Sequence, residues 1–218
     1  MIMEGTLEIK KSIVVIVAHP DDETLWCGGT MLLEPNCNWF VACLCRKNDP
    51  DRSPKFKEAL MAFKANGVMG NLDDGAEQKP LDKNEVKEAI LNLLPEQNVD
   101  LILTHSPYGE YTRHLRHEEI GRAVIELWND KKIASKELWT FAYEDGNKKY
   151  YPQAIKGATL YYKLPKNIWK EKYRIITEIY GFEKTGFEAK TTPKTEGFWK
   201  FKDPRDAQKW LEREGIKY

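Results

Sequence analysis

The stretch Ser12-Ile13-Val14-Val15-Ile16-Val17-Ala18-His19-Pro20-Asp21-Asp22-Glu23 decides the reading of the fold. Ile13 to Val17 is a run of apolar β-branched residues without alternation, the pattern of a strand buried on both faces. Polar chemistry starts where that strand stops. In an open α/β sheet, sites form beyond the carboxyl ends of strands, so this loop is the first place to look for function.

Outward from it, strands alternate with helices. A short helix is expected over Thr24–Leu33, with Gly28 and Gly29 inside it, where close packing on the sheet would explain two poor helix formers. Trp39–Cys45 reads as a second buried strand, which would put Cys43 and Cys45 on one face. A second helix is capped by Ser53, carries Pro54 in its first turn and ends at Gly67, with Phe56, Leu60 and Phe63 as its apolar stripe. A third helix runs from Asp82, paired with Glu85 as a capping box, to Leu94 and stops at Pro95. Val99–Thr104 is the third buried strand. A polar loop, Ser106–Arg116, leads into a helix with Ile120, Val124, Leu127 and Trp128 in register. Leu138–Tyr143 and Thr159–Leu164 are further strands, and Lys166–Tyr180 and Asp203–Glu214 further helices. Gly186–Lys202 is the least regular stretch. The alternation predicts one α/β domain over residues 1–218: a Rossmann-like three-layer sandwich with a mostly parallel sheet and helices on both faces. Residues 146–218 form a less typical, basic C-terminal extension.

Composition excludes several classes. The chain has 218 residues, equal numbers of basic and acidic side chains (34 each) and a pI near 6.9, so it lacks the basic excess of a general nucleic-acid binder. The aromatic and basic stretch from Tyr161 to Arg174 reads better as a helix packing through Ile168, Ile176 and Ile179 than as a nucleic-acid surface. The longest apolar run, Ile13–Ala18, is far short of the ~20 residues of a membrane span. Met1–Lys11 has no apolar segment resembling a secretory signal. Cys27, Cys37, Cys43 and Cys45 match no zinc-finger or disulfide spacing and read as reduced thiols in a cytoplasmic protein. Mean hydropathy is low at −0.62, but 7 Trp, 10 Tyr and 8 Phe supply a core. The zero net charge divides unevenly: residues 1–145 carry 17 basic and 25 acidic side chains, a net of −8, and residues 146–218 carry 17 and 9, a net of +8. The two parts should attract, within one chain or between copies in a homo-oligomer, although most such charges simply face solvent.

Two histidine-bearing loops lie beyond strand ends: His19 to Glu23 after the first strand, and His114-Leu115-Arg116-His117 after the third. His19, Asp22 and His117 offer two nitrogens and a carboxylate oxygen, a set suited to Zn²⁺ with one position left open for catalysis. A water in that position would have its pKa lowered to about 7. Asp21 beside it is placed to act as general base, and His114 to become a cation that stabilises an oxyanion or protonates a leaving amine. Taken singly, His-x-x-His is common on surface helices, and Asp-Asp-Glu ahead of a helix merely complements its dipole. Two such loops at equivalent sheet positions favour the metal site. Arg52, next to Lys55 at the second helix start, could bind a substrate phosphate or carboxylate, and Glu110 and Tyr111 could line a sugar site. His105 reads as structural.

Ala18-His19-Pro20-Asp21-Asp22-Glu23 at the end of a buried strand, followed by Gly28-Gly29, resembles the opening of the PIG-L/LmbE family of zinc-dependent N-deacetylases. Glu58, Ala62, Gly67 and Val68 match that family's second helix and its Leu-Gly-Val end, with Asn66 in place of Leu. His114-Leu115-Arg116-His117 falls where the family carries His-Pro-Asp-His or a relative. The resemblance spans roughly residues 12–145. It implies a Rossmann-like fold and hydrolysis of an N-acetyl group on an N-acylated amino sugar, a small-molecule substrate. Its zinc ligands would be His19, Asp22 and His117, with Asp21 as base and His114 stabilising the tetrahedral intermediate. Arg116 departs from the pattern, replacing an acidic residue that could hold a ligand's other ring nitrogen; Glu118, Glu110 or a backbone carbonyl are the substitutes to consider. A thiol-conjugate amidase would use the same parts. A non-catalytic binding domain would not need a base beside the metal.

Overall fold

A computed structural model of the chain describes residues 10–94 and 98–213. The stretch Met1–Lys11, apart from its last two residues, and the helix-ending positions Pro95 and Glu214 lie outside the described residues. The first strand, β1 (Ser12–Val17), is followed by α1 (Asp22–Leu33), β2 (Asn38–Cys43), α2 (Arg52–Phe63), β3 (Asn66–Met69), α3 (Lys83–Leu93), β4 (Asn98–Thr104), α4 (Leu115–Asn129) and β5 (Ala134–Phe141). The C-terminal third adds a small hairpin, β6 (Tyr143–Glu144) and β7 (Gln153–Ala154), then β8 (Leu160–Lys163), α5 (Lys166–Arg174) running into a π-helical turn at Ile175–Ile179, α6 (Phe187–Thr191), β9 (Thr195–Phe201) and α7 (Pro204–Glu212).

Seven strands form one sheet in the order β3-β2-β1-β4-β5-β9-β8. The first five are parallel, and β9 and β8 continue the edge antiparallel. Residues of β1 alternate between two cores. Ile13, Val15 and Val17 pack with α1, α2 and the π-helical turn; Val14 and Ile16 pack with α3, α4 and α7. This is the three-layer sandwich expected from the buried strand pattern. The order reverses between β1 and β4, so the loops after these two strands open onto one crevice, the usual ligand position in such sheets.

Several local expectations are corrected. α1 begins two residues early, at Asp22; Gly28 faces α2 rather than the sheet, whereas Gly29 packs against β9 of the sheet and Leu164 just after β8. A Cβ on Gly28 would lie 3.2 Å from Phe63, and one on Gly29 would lie 2.5 Å from Leu164 and 2.8 Å from Glu196. β2 ends at Cys43, so Cys43 and Cys45 enter opposite cores. α2 is started by Asp49, whose Oδ1 accepts the amides of Asp51 and Arg52, not by Ser53. Gly67 does not end that helix but lies in β3, where a Cβ would meet the Val41 carbonyl at 2.6 Å. The stretch read as irregular, Gly186–Lys202, contains α6 and β9. Asp82 does cap α3, accepting the amides of Asn84 and Glu85.

The C-terminal third holds a buried ion pair, and its Glu196 docks on α1. Lys172 Nζ lies 2.7 Å from Glu196 Oε1, with both side chains fully buried. Glu196 also accepts the amides of Gly29 (2.7 Å) and Thr30 (2.8 Å) and the Thr30 hydroxyl (2.6 Å). At the surface, Lys200 on β9 pairs with Glu137 on β5. Among the described residues no helix is long and apolar enough to cross a membrane.

Candidate active site

The crevice brings together the two loops singled out in the sequence. His19 Nδ1, Asp22 Oδ2 and His117 Nε2 form a nearly equilateral triangle with edges of 3.2, 3.3 and 3.3 Å. Those edges match one face of a tetrahedron around an ion with bonds of about 2.0 Å, the length of Zn–N and Zn–O bonds. The donor set and its spacing therefore fit zinc.

Hydrogen bonds behind the triangle orient the rings. Glu110 Oε2 lies 2.7 Å from His117 Nδ1, which keeps the Nε2 lone pair toward the triangle. The same oxygen lies 3.1 Å from His105 Nδ1, while His105 Nε2 accepts the Ala18 amide at 3.0 Å. Glu110 Oε1 accepts the Ser106 amide. These partners hold the Glu110 carboxyl at about 2: its burial opposes ionisation, and His105 and His117 outweigh it. The expected substrate role of Glu110 is thus corrected, because its carboxylate is buried and fully engaged behind the histidines. His105, read from the sequence as structural, lies within the ligand cluster, 3.4 Å from Asp22 Oδ2, and could join Asp22 and His117 in holding an ion. The Asp22 carboxyl is held well below the usual range although burial works against it, because His117 and His105 adjoin it. Trp26 Nε1 donates to its other oxygen at 2.9 Å.

Asp21 precedes α1 with φ at 122°, a conformation that costs a non-glycine residue ~1–3 kcal/mol. Its amide donates to Glu23 Oε2 at 3.1 Å, and Glu23 Oε1 accepts the Thr24 hydroxyl and the Tyr180 hydroxyl at 2.7 Å. The Asp21 side chain caps nothing. Burial, joined by the charge of Asp22, pushes its carboxyl well up. Arg52 Nη1 stands 3.8 Å from Asp21 Oδ2 and has no hydrogen-bond partner among the described residues; the guanidinium lies 4.3 Å over the Phe182 ring.

His114 stacks on His117, with ring centres 4.4 Å apart and an 18° tilt, and lies 4.5 Å from His19. Its Nδ1 is buried and has no hydrogen-bond partner among the described residues. Burial, followed by the neighbouring His117 and His19, pushes its imidazole down to about 3. That direction favours the neutral ring over the cation expected for His114. Tyr111 meets His117 and Phe187 edge-on at 5.5 and 5.4 Å. Its loop is tied down where Asp145 accepts the Thr112 amide and hydroxyl. His19, Asp21, Asp22, Arg52, Tyr111 and His114 all line a cavity of about 180 Å³, whose far wall is Phe187 and Glu188 of α6. Sequence reasoning missed Asp74, whose Oδ1 lies 3.1 Å from His19 Nε2, and Tyr180, which donates to Glu23. Neither has a spacing that ties it to the histidines, and Glu23 was quoted in the motif without a role.

N,N'-diacetylchitobiose deacetylase of Pyrococcus horikoshii has a similar fold, with TM-score 0.65, 16% identity, and coverage of 88% of this chain and 84% of that one. GalB of Pseudomonas putida KT2440, a 4-carboxy-2-hydroxymuconate hydratase, matches with TM-score 0.52 and 17% identity over 87% and 95% of the two chains. Likeness of fold therefore does not choose between chemistries. In sequence, the uncharacterized protein L374 of Acanthamoeba polyphaga mimivirus is 25% identical over 191 residues, 80% of this chain and 81% of that protein. The model of the family PIG-L, GlcNAc-PI de-N-acetylase, matches residues 14–128, a span holding both histidine loops and more than half of the chain, and the chain belongs to that family.

Proposed function

We propose that the protein is a zinc-dependent hydrolase that removes an N-acetyl group from an amino-sugar derivative, with His19, Asp22 and His117 as ligands. The observation that carries the reading is the ligand triangle, with Glu110 turning the His117 lone pair into it. Zinc, when bound, would supply Lewis acidity and lower the pKa of a water to about 7.

The chain's own residues supply the rest. Asp21 takes a proton from the attacking water. Its raised pKa suits it to hold that proton and then return it to the departing nitrogen, so acetate and free amine form with protons balanced. His114 acts as a neutral hydrogen-bonding group whose buried, unpartnered Nδ1 meets the oxygen that gains charge. Tyr111 and the unpartnered Arg52 nitrogen line the cavity and contact the sugar and its substituent. Four free cysteines, three of them buried, are in keeping with a cytoplasmic setting. The test is metal analysis and acetate release from a panel of N-acetylated sugars, for the wild type and for His19→Ala, Asp22→Ala and His117→Ala. We expect about one zinc per wild-type chain and loss of both zinc and turnover in each variant. Full zinc content in all three variants would refute the ligand set.

A further inference from the structure

Each histidine of the triangle has a second ring nitrogen whose partner fixes the ring. Glu110 serves His117. For His19, the group at Nε2 is Asp74, at 3.1 Å, close enough for an ion pair though not aligned as a hydrogen bond. Asp74 belongs to the loop between β3 and α3, and its side chain is almost wholly buried. Arg46 grips Oδ2 through Nε (3.0 Å) and Nη2 (2.7 Å), and Gln78 Nε2 donates to Oδ1 at 2.8 Å. Oδ1 is thus left turned to His19.

The loop itself is pinned from an unexpected side. Arg116, one residue before His117, is fully buried. Its guanidinium donates to the carbonyls of Asp73 and Lys79, on either side of Asp74, and pairs with Glu119. Arg116 therefore stands where an acidic group was expected and holds in place the loop that brings one from elsewhere in the chain.

We propose that Asp74 is a positioning residue that fixes the His19 ring so that Nδ1 faces the metal, and that Arg116 acts through it by anchoring the Asp73–Lys79 loop. This rests on the reading of His19 as a ligand. A carboxylate at the far nitrogen selects the Nε2–H tautomer and raises the basicity of Nδ1, and such partners are worth about 10- to 100-fold in metal affinity. If Asp74 served only to neutralise Arg46, its loss would leave metal affinity untouched.

The test is the zinc dissociation constant by chelator competition, with the cobalt-substituted absorption spectrum and the melting temperature of the metal-free protein, for wild type, Asp74→Asn and Arg116→Met. We expect Asp74→Asn to weaken zinc about 10- to 100-fold, to shift the cobalt bands, and to leave metal-free melting close to wild type. Arg116→Met should weaken zinc in the same direction. Wild-type-like zinc affinity and cobalt spectrum in Asp74→Asn would overturn the proposal. Absence of zinc binding by the wild type would instead overturn the metal reading on which it rests.

Discussion

Replacing Lys172 by Met should cost about 3 kcal/mol of stability. Removing one partner of a buried ion pair costs ~3–5 kcal/mol, because the remaining charge is left uncompensated. Glu196 would keep the amides of Gly29 and Thr30 and the Thr30 hydroxyl, at 2.6 to 2.8 Å, which sets the estimate at the lower end of that range. For a chain of this length each kcal/mol moves the melting temperature by ~2–4 °C, so the shift should be a fall of ~6–12 °C. The measurement is thermal and urea denaturation of the metal-free protein, which keeps ligand binding from adding to the folded state. The double variant Lys172→Met/Glu196→Gln should recover little, because either orientation of the glutamine amide sets its NH2 against the Gly29 or the Thr30 amide, which both donate to Glu196. A loss under ~1 kcal/mol in the single variant would refute the reasoning that Lys172 compensates a buried charge.

Asp21→Asn should keep its zinc while kcat falls ~10²- to 10⁴-fold, and His114→Ala should keep zinc and lose ~10²- to 10³-fold; metal analysis with steady-state kinetics checks both. Zinc loss in Asp21→Asn would exchange the roles of Asp21 and Asp22. Glu110 has its carboxyl depressed from 4.5 to about 2 in the folded protein, so its contribution to stability is present above pH ~4.5 and is lost as pH falls toward 2. Glu110→Gln should flatten that part of the acid denaturation curve of the metal-free protein, measured by circular dichroism.

The central strands were legible because burial on both faces leaves a continuous apolar run, as in Ile13–Val17, and α3 was legible because Asp82 caps it in the usual way. β3 was not: Asn66-Gly67 looks like a helix terminus, and the glycine is there because the Val41 carbonyl comes too close for a side chain. β9 was hidden because Thr195–Phe201 mixes glycine and charged residues, and its Glu196 is buried only because Lys172 and α1 meet it. In the site, residues adjoining a histidine or opening the loop after β1 could be found by position. Asp74 and Tyr180 could not, since 55 and 157 residues separate them from His19 and Glu23, and only the tertiary fold joins them. The stacking of His114 on His117 and its burial, which push the imidazole down, have no signature in the sequence.

Glu110 Oε2 receives the ring N–H of both His105 and His117. A ring that turns gives up its own bond to Glu110 while the other keeps its bond, so one carboxylate braces the end of β4 and the start of α4 together. Loss of Glu110 would free both rings at once, whereas loss of His105 would leave the contact between Glu110 and His117 in place.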